Sequence, residues 1–152
     1  MSLKEKLQND LTAAMRARDE VRSSTIRMVL TAVKNEEVSG KEARALSDSE
    51  LISVLSREAK KRREAAEAFD QAGATDRANG ERAEGAIIAE YLPQQLSEAE
   101  LKDLVAAAIK ETGASGPAGM GQVMKALQPK IAGRADGGTV SALVKAALAG
   151  GN

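Results

Sequence analysis

The chain has neither cysteine nor histidine among its 152 residues. No disulfide framework is open to it, and most zinc sites, thiol nucleophiles and histidine-based triads are lost together. Aromatic side chains are nearly as scarce, with one phenylalanine, one tyrosine and no tryptophan. Phe69 and Tyr91 both fall at core-like positions, which removes the stacking platforms that single-strand readers use. Aromatic and β-branched residues are too sparse for a sheet. Nothing approaches the roughly 20 apolar residues that span a bilayer, and the N-terminus has no apolar h-region. No membrane role is expected, and the plain expectation is a cytoplasmic protein. Charge of one sign is also missing. The 22 basic and 22 acidic residues cancel, so no global field draws in nucleic acid, and any such role must rest on a local patch.

What remains is a leucine, isoleucine, valine, methionine and alanine core, which suits closely packed helices. The expected fold class is all-α, with an N-terminal helical domain over 1–92 and a small three-helix domain over 93–152. Ser2 with Glu5 predicts a capping box, followed by Leu3, Leu7, Leu11 and Met15 along one face. After a break at Arg18 and Asp19, Val21, Ile26, Met28, Val29, Leu30 and Val33 cover more than one stripe, as in a helix contacted from two sides. Gly40 is the expected stop. Leu46-Ser47-Asp48-Ser49-Glu50-Leu51 predicts a second box with Leu46 stapled to Leu51. That third helix continues through Ile52, Leu55, Ala59, Ala66 and Phe69 to Gly73. A fourth is expected from about Asp76 to Tyr91, weakened by Gly80 and Gly85.

Leu92-Pro93 reads as a boundary, because the residue before proline is driven out of the helical region. Leu96-Ser97-Glu98-Ala99-Glu100-Leu101 repeats the start signature. Leu101, Leu104, Val105, Ala108 and Ile109 then form a buried face that ends at Gly113. A short helix carries Val123, Met124 and Leu127, punctuated by Pro129 and Gly133. After a turn at Asp136-Gly137, Thr139 is the expected cap of a last helix with Val140, Leu143, Val144, Ala147 and Leu148 inside.

Catalytic motifs are not found. Gly119-Met120-Gly121-Gln122-Val123-Met124 begins like a dinucleotide fingerprint but lacks the last glycine and a preceding strand. No Walker loop is present, Glu36 and Glu37 diverge on a helix, and no serine–lysine spacing stands out. No catalytic residue, cofactor or metal is therefore assigned. Two basic stretches compete as phosphate-binding surfaces. In the tail, Lys125, Lys130, Arg134 and Lys145 face a single acid, Asp136, and Gly133 and Gly137 in the turn permit close approach of another backbone. The secondary face is Arg57, Lys60, Lys61 and Arg63. There Glu58–Arg62, Lys60–Glu64 and Arg63–Glu67 offer ordinary helix ion pairs instead, and Arg62, beside the apolar stripe, is expected in a structural pair.

Met15-Arg16-Ala17-Arg18-Asp19, Arg27 and Lys34-Asn35-Glu36 resemble the first helical hairpin of the YqeY family. Tyr91-Leu92-Pro93-Gln94-Gln95-Leu96-Ser97 and Gly121-Gln122-Val123-Met124 resemble its hinge and tail. Pro129-Lys130-Ile131-Ala132-Gly133-Arg134-Ala135-Asp136-Gly137 with Val140, Leu143 and Val144 completes a likeness over nearly the whole chain. The resemblance implies a C-terminal GatB/YqeY-type domain, shared with the tail of the B subunit of glutamine-dependent aminoacyl-tRNA amidotransferase, where that tail resembles a tRNA-holding appendage. It also implies the family label, a carbon–nitrogen ligase using glutamine as amido-N-donor. Nothing in this chain matches the catalytic domains of that enzyme, and a shared fold does not transfer chemistry. The expectation is a non-catalytic tRNA-binding or aminoacyl-tRNA-linked accessory protein. The alternative is a protein-interaction module that docks on a synthetase or an amidotransferase subunit.

Overall fold

Seven α-helices and no strand make up the fold of the computed structural model, which describes residues 1–150. In chain order they are α1 (Leu3–Arg16), α2 (Glu20–Glu37), α3 (Asp48–Gln71), α4 (Thr75–Ala89), α5 (Glu98–Thr112), α6 (Met120–Ile131) and α7 (Gly137–Gly150), with a single 3-10 turn at Pro117–Gly119. They fall into two units, Met1–Leu92 and a second that begins at Pro93.

In the first unit, α1, α2 and α3 start as their sequences dictate. The Ser2 hydroxyl accepts from the Glu5 amide at 3.1 Å while the Glu5 carboxylate accepts from the Ser2 amide at 2.9 Å. Ser47 and Glu50 repeat the exchange at 3.2 and 2.9 Å, and Asp19 caps α2 on the Arg22 amide at 3.0 Å. Each such cap satisfies donors that a helix start leaves open. Leu7, Ile26, Val29, Val33, Leu51, Val54, Leu55, Ala59, Ile88 and Tyr91 form the core between them.

Met15 and Val21 do not join that core; each is about half exposed, at 51%. Steps of four residues advance 400°, so the Leu3-to-Met15 series drifts around the helix and Ala14 takes the buried place. Val21 sits five residues before buried Ile26, roughly 140° away on the α2 wheel.

Two of the four helix exits in this unit, those of α1 and α3, use a left-handed residue. At the end of α3, Gly73 has φ +76°, with its amide on Asp70 O at 3.1 Å and the Ala74 amide on Phe69 O at 2.8 Å. This is the Schellman arrangement. The α1 exit repeats it, with Arg18 N on Met15 O at 3.2 Å and Asp19 N on Ala14 O at 2.9 Å. Here, however, the left-handed residue is Arg18, at φ +58°, a placement that costs a side chain with a Cβ on the order of 1 kcal/mol. The helix α4 is shorter than expected at its C-terminal end, stopping at Ala89.

Tyr91 seals the core from below α1. Its hydroxyl donates to Asp10 Oδ2 at 2.5 Å, and the Lys6 ammonium stands 4.6 Å from its ring centroid. The hydrogen bond from Tyr91, aided by Lys6, holds the Asp10 carboxyl below its ordinary value. Burial, then the bond to Asp10, pushes the Tyr91 phenol up. A depressed carboxyl stabilises the fold above its unfolded pKa, about 3.9, and loses that contribution as pH falls through the folded value. The raised phenol contributes below about pH 10 and loses its contribution as pH rises through its folded value. Tyr91→Phe is therefore expected to cost about 1 kcal/mol near neutrality. The gap to the parent should narrow as Asp10 protonates. Urea unfolding at neutral and acid pH checks this, and a gap of equal size at both would contradict it.

In the second unit, Leu101, Val105 and Ala108 of α5 pack with Val123, Leu127 and Ile131 of α6 and Val140, Val144 and Leu148 of α7. Ser97 caps α5 on the Glu100 amide at 3.1 Å, and Gly113, at φ +64°, closes it with its amide on Ile109 O. Gly119 is needed for close approach, since a Cβ there would lie 2.6 Å from the Ala114 Cβ. Three expectations change here. The helix α6 runs through Pro129 to Ile131. Asp136, not Thr139, caps α7, its carboxylate accepting from the Thr139 amide at 3.1 Å and hydroxyl at 3.0 Å. Ala147 is exposed rather than inside.

Candidate nucleic-acid interface

The tail turn is held by a compact set of hydrogen bonds. The Gln95 side-chain amide donates to Pro93 O and Gly133 O, both at 2.8 Å. Arg134 Nε donates to Gln94 O at 3.0 Å, a terminal guanidinium nitrogen reaches Lys130 O at 3.4 Å, and Leu96 N donates to Arg134 O at 2.9 Å. Gly133, at φ +71°, makes the bend that lets both segments of this clasp meet. Arg134 thus fastens the entry of the unit to the α6 exit. Its acceptors are neutral carbonyls, so its charge is not cancelled.

The remaining cations differ in their freedom. Lys130 is 3.6 Å from Glu111, a loose and exposed pair. Lys125 and Lys145 are exposed on α6 and α7, and neither joins an ion pair among the described residues. Gly137 opens α7 at the surface. The structure brings Lys130, Gly133 and Arg134 together around the clasp, while Lys125 and Lys145 stand on separate helices. A cavity of about 540 Å³ between α5 and α7 is lined by Lys102, Val105, Ala106, Ile109, Leu143, Ala146 and Ala147, and none of the six tail candidates lines it.

The secondary face on α3 is largely neutralised. Arg57 lies 3.5 Å from Glu36, and Lys61 is 3.0 Å from the buried Glu58. Lys60 is also engaged, and Arg63 is exposed. Arg62 is in a structural pair, as its place on the wheel predicts, but with other partners than Glu58. Its guanidinium sits 3.3 Å from both Glu81 and Glu84 of α4. Sequence spacing within one helix could not find these partners, which α4 supplies.

Groups with displaced pKa values occupy caps and pairs. Glu5 is lowered by the Ser2 backbone and hydroxyl, and Glu50 by Arg44 and the Ser47 amide. Glu90 raises Arg22, and Glu50 raises Arg44. Among the described residues, no three acids gather as a metal ligand set and no helix is long and apolar enough to cross a membrane.

Sequence reasoning passed over one site. A cavity of about 520 Å³ opens where α1 ends and α2 begins, lined by Met15, Arg18, Glu20, Ser23, Ser24 and Arg27. The signal was an arginine directly before the Asp19 cap, at the step where a helix exit favours glycine.

Together these features define an all-helical, two-unit protein whose capping side chains and inter-helix ion pairs fix the helices, while cations such as Lys125 and Lys145 stand outside them. The chain matches the Yqey-like protein family over residues 4–148 and belongs to it. It is similar to the protein named Altered inheritance of mitochondria protein 41, mitochondrial, from Lachancea thermotolerans, with 33% identity over 113 residues, 73% of this chain and 60% of that protein. The protein of the same name from Clavispora lusitaniae is 36% identical over 86 residues, 57% of this chain and 49% of that protein. The chain spans about half to three-fifths of the length of these curated relatives.

Proposed function

We propose that the chain is a non-catalytic tRNA-binding or aminoacyl-tRNA-linked accessory protein that contacts phosphates through its second unit. The observation that carries this reading is the unspent charge of that unit. Among the described residues Lys125 and Lys145 have no acid partner, Lys130 has only a loose one, and Arg134 is held rigidly on neutral carbonyls. Cations without an intramolecular partner release counterions from a phosphate backbone at no cost in broken pairs. The reading places the protein in the cytoplasm. The relatives' printed names put those proteins in mitochondria, a different compartment. The family's glutamine-dependent ligase label is not part of this reading.

Titration of labelled total tRNA across a salt series tests it. Affinity is expected to fall steeply with salt, and the slope should flatten by about 0.9 for each phosphate that a variant no longer neutralises. Lys125→Glu and Lys145→Glu, both exposed, should weaken binding without unfolding the unit. Arg134→Ala is the poorer test, because it also opens the clasp. If the doubly reversed chain holds tRNA with unchanged affinity and slope, the assignment is wrong.

A second reading, a module that docks on a synthetase or an amidotransferase subunit, draws on the half-exposed Met15, Val21 and Val38 of the first unit.

A further inference from the structure

We propose that the cavity between the end of α1 and the start of α2 receives an amphipathic helix of another protein, one that sets carboxylates beside an apolar side chain. The inference rests on the docking reading and is independent of RNA binding by the second unit. Arg18 and Arg27 line the cavity, yet neither joins an ion pair among the described residues. Their neighbour Arg22 is, by contrast, consumed by Asp19 and by Glu90 at 2.6 Å. Met15 supplies an apolar wall with half its surface in water, and Val21 is equally exposed on the adjoining turn. Unpaired guanidinium groups around an exposed methionine complement an acidic, amphipathic surface, and methionine adapts its shape to what it meets.

Glu20 decides between two kinds of polyanion. Its carboxylate belongs to the cavity wall and would repel a continuous phosphate backbone, whereas a helix can direct its acids to Arg18 and Arg27 and keep them from Glu20. The hydroxyls of Ser23 and Ser24 already donate to Asp19 O at 2.8 Å and Val21 O at 3.2 Å. They remain as acceptors and do not attract the anion. Another space in this unit, about 530 Å³ around Lys4, Lys34, Glu37 and Arg44, has two of its three cations already paired. There Lys4 is paired with Glu37 and Arg44 with Glu50.

Arg18 makes the idea separable from a structural role. Its left-handed backbone favours glycine, so Arg18→Gly should raise the melting temperature of the full chain by about 2–4 °C while removing a binding group. The probe is a helical peptide with leucines at i, i+3 and i+4 flanked by glutamates, with a lysine-for-glutamate version as control. Saturable binding of the acidic peptide with a shift of the Met15 methyl resonance is expected. Arg18→Gly should weaken it about threefold and Arg18→Gly with Arg27→Glu more than tenfold. Equal binding of the lysine peptide, unchanged affinity in the double variant, or no binding at all would overturn the proposal. So would total tRNA that shifts the Met15 methyl and displaces the peptide, since the cavity would then hold RNA. The docking reading itself fails by a different result, namely that no purified synthetase or amidotransferase subunit co-sediments with the intact chain.

Discussion

Leu127→Ala is expected to unfold the second unit and leave the first folded. Leu127 is fully buried, one of nine core side chains contributed by α5, α6 and α7. Truncating a leucine in such a place costs about 2–5 kcal/mol, through reduced transfer energy and the cavity left behind. A unit of this size buries a smaller share of its surface than a large domain, and its whole stability is of the same order as that loss. With no cysteine in the chain, no disulfide supplements it. Each unit has a core of its own, so the loss should stay local. Hydrogen exchange resolved by residue would read it, with amides of α5 to α7 losing protection while those of α1 to α4 keep theirs. Loss of protection in both units would show that the first depends on the second. The variant also separates the two proposed activities, because tRNA binding should vanish while the acidic peptide still binds beside Arg18.

Much of this architecture is legible in local chemistry. Capping boxes at Ser2 and Ser47, the cap at Ser97 and the stops at Gly73 and Gly113 depend on residues a few positions apart, and the structure holds each where the sequence puts it. The same locality explains the errors. A four-residue step misplaces Met15 because the drift of the helix accumulates over three steps. Thr139 looks like a cap until Asp136, three residues earlier, is seen to take its amide. The candidate site was less legible for a different reason. Whether a lysine or arginine is free depends on acids brought to it by other helices, as Glu111 is to Lys130 and Glu36 to Arg57. Arg134 shows the limit most plainly. Its charge could be read from the sequence, but its hold on Gln94 O spans forty positions of chain.

The Arg62 ion-pair cluster shows the same dependence with a large energetic consequence. The helix α4 is a poor helix by itself. Ala74 gives it no side-chain cap, Gly80 and Gly85 weaken its interior, and Ala78 and Ile88 are its only buried residues. What holds it is α3, and Arg62 is the polar centre of that packing, with a side chain 21% exposed between Glu81 and Glu84. Arg62→Ala would leave two largely shielded carboxylates without their shared cation. Breaking a buried pair by removing one partner costs about 3–5 kcal/mol, and partial exposure brings the expectation here to about 2–4 kcal/mol. The reverse experiment is sharper. Nε of Arg62 and one oxygen of Glu81 are buried without hydrogen-bond partners, so the cluster is imperfectly satisfied. Arg62→Met combined with Glu81→Leu and Glu84→Leu should therefore recover most of the missing stability, since replacing all members of such a cluster by apolar residues of similar size is often neutral. Urea unfolding of the parent, the single variant and the triple variant measures both effects. A single variant within about 0.5 kcal/mol of the parent would mean that apolar packing alone holds α4 in place. A triple variant as unstable as Arg62→Ala would mean that the charges themselves, and not merely their balance, fasten the two helices.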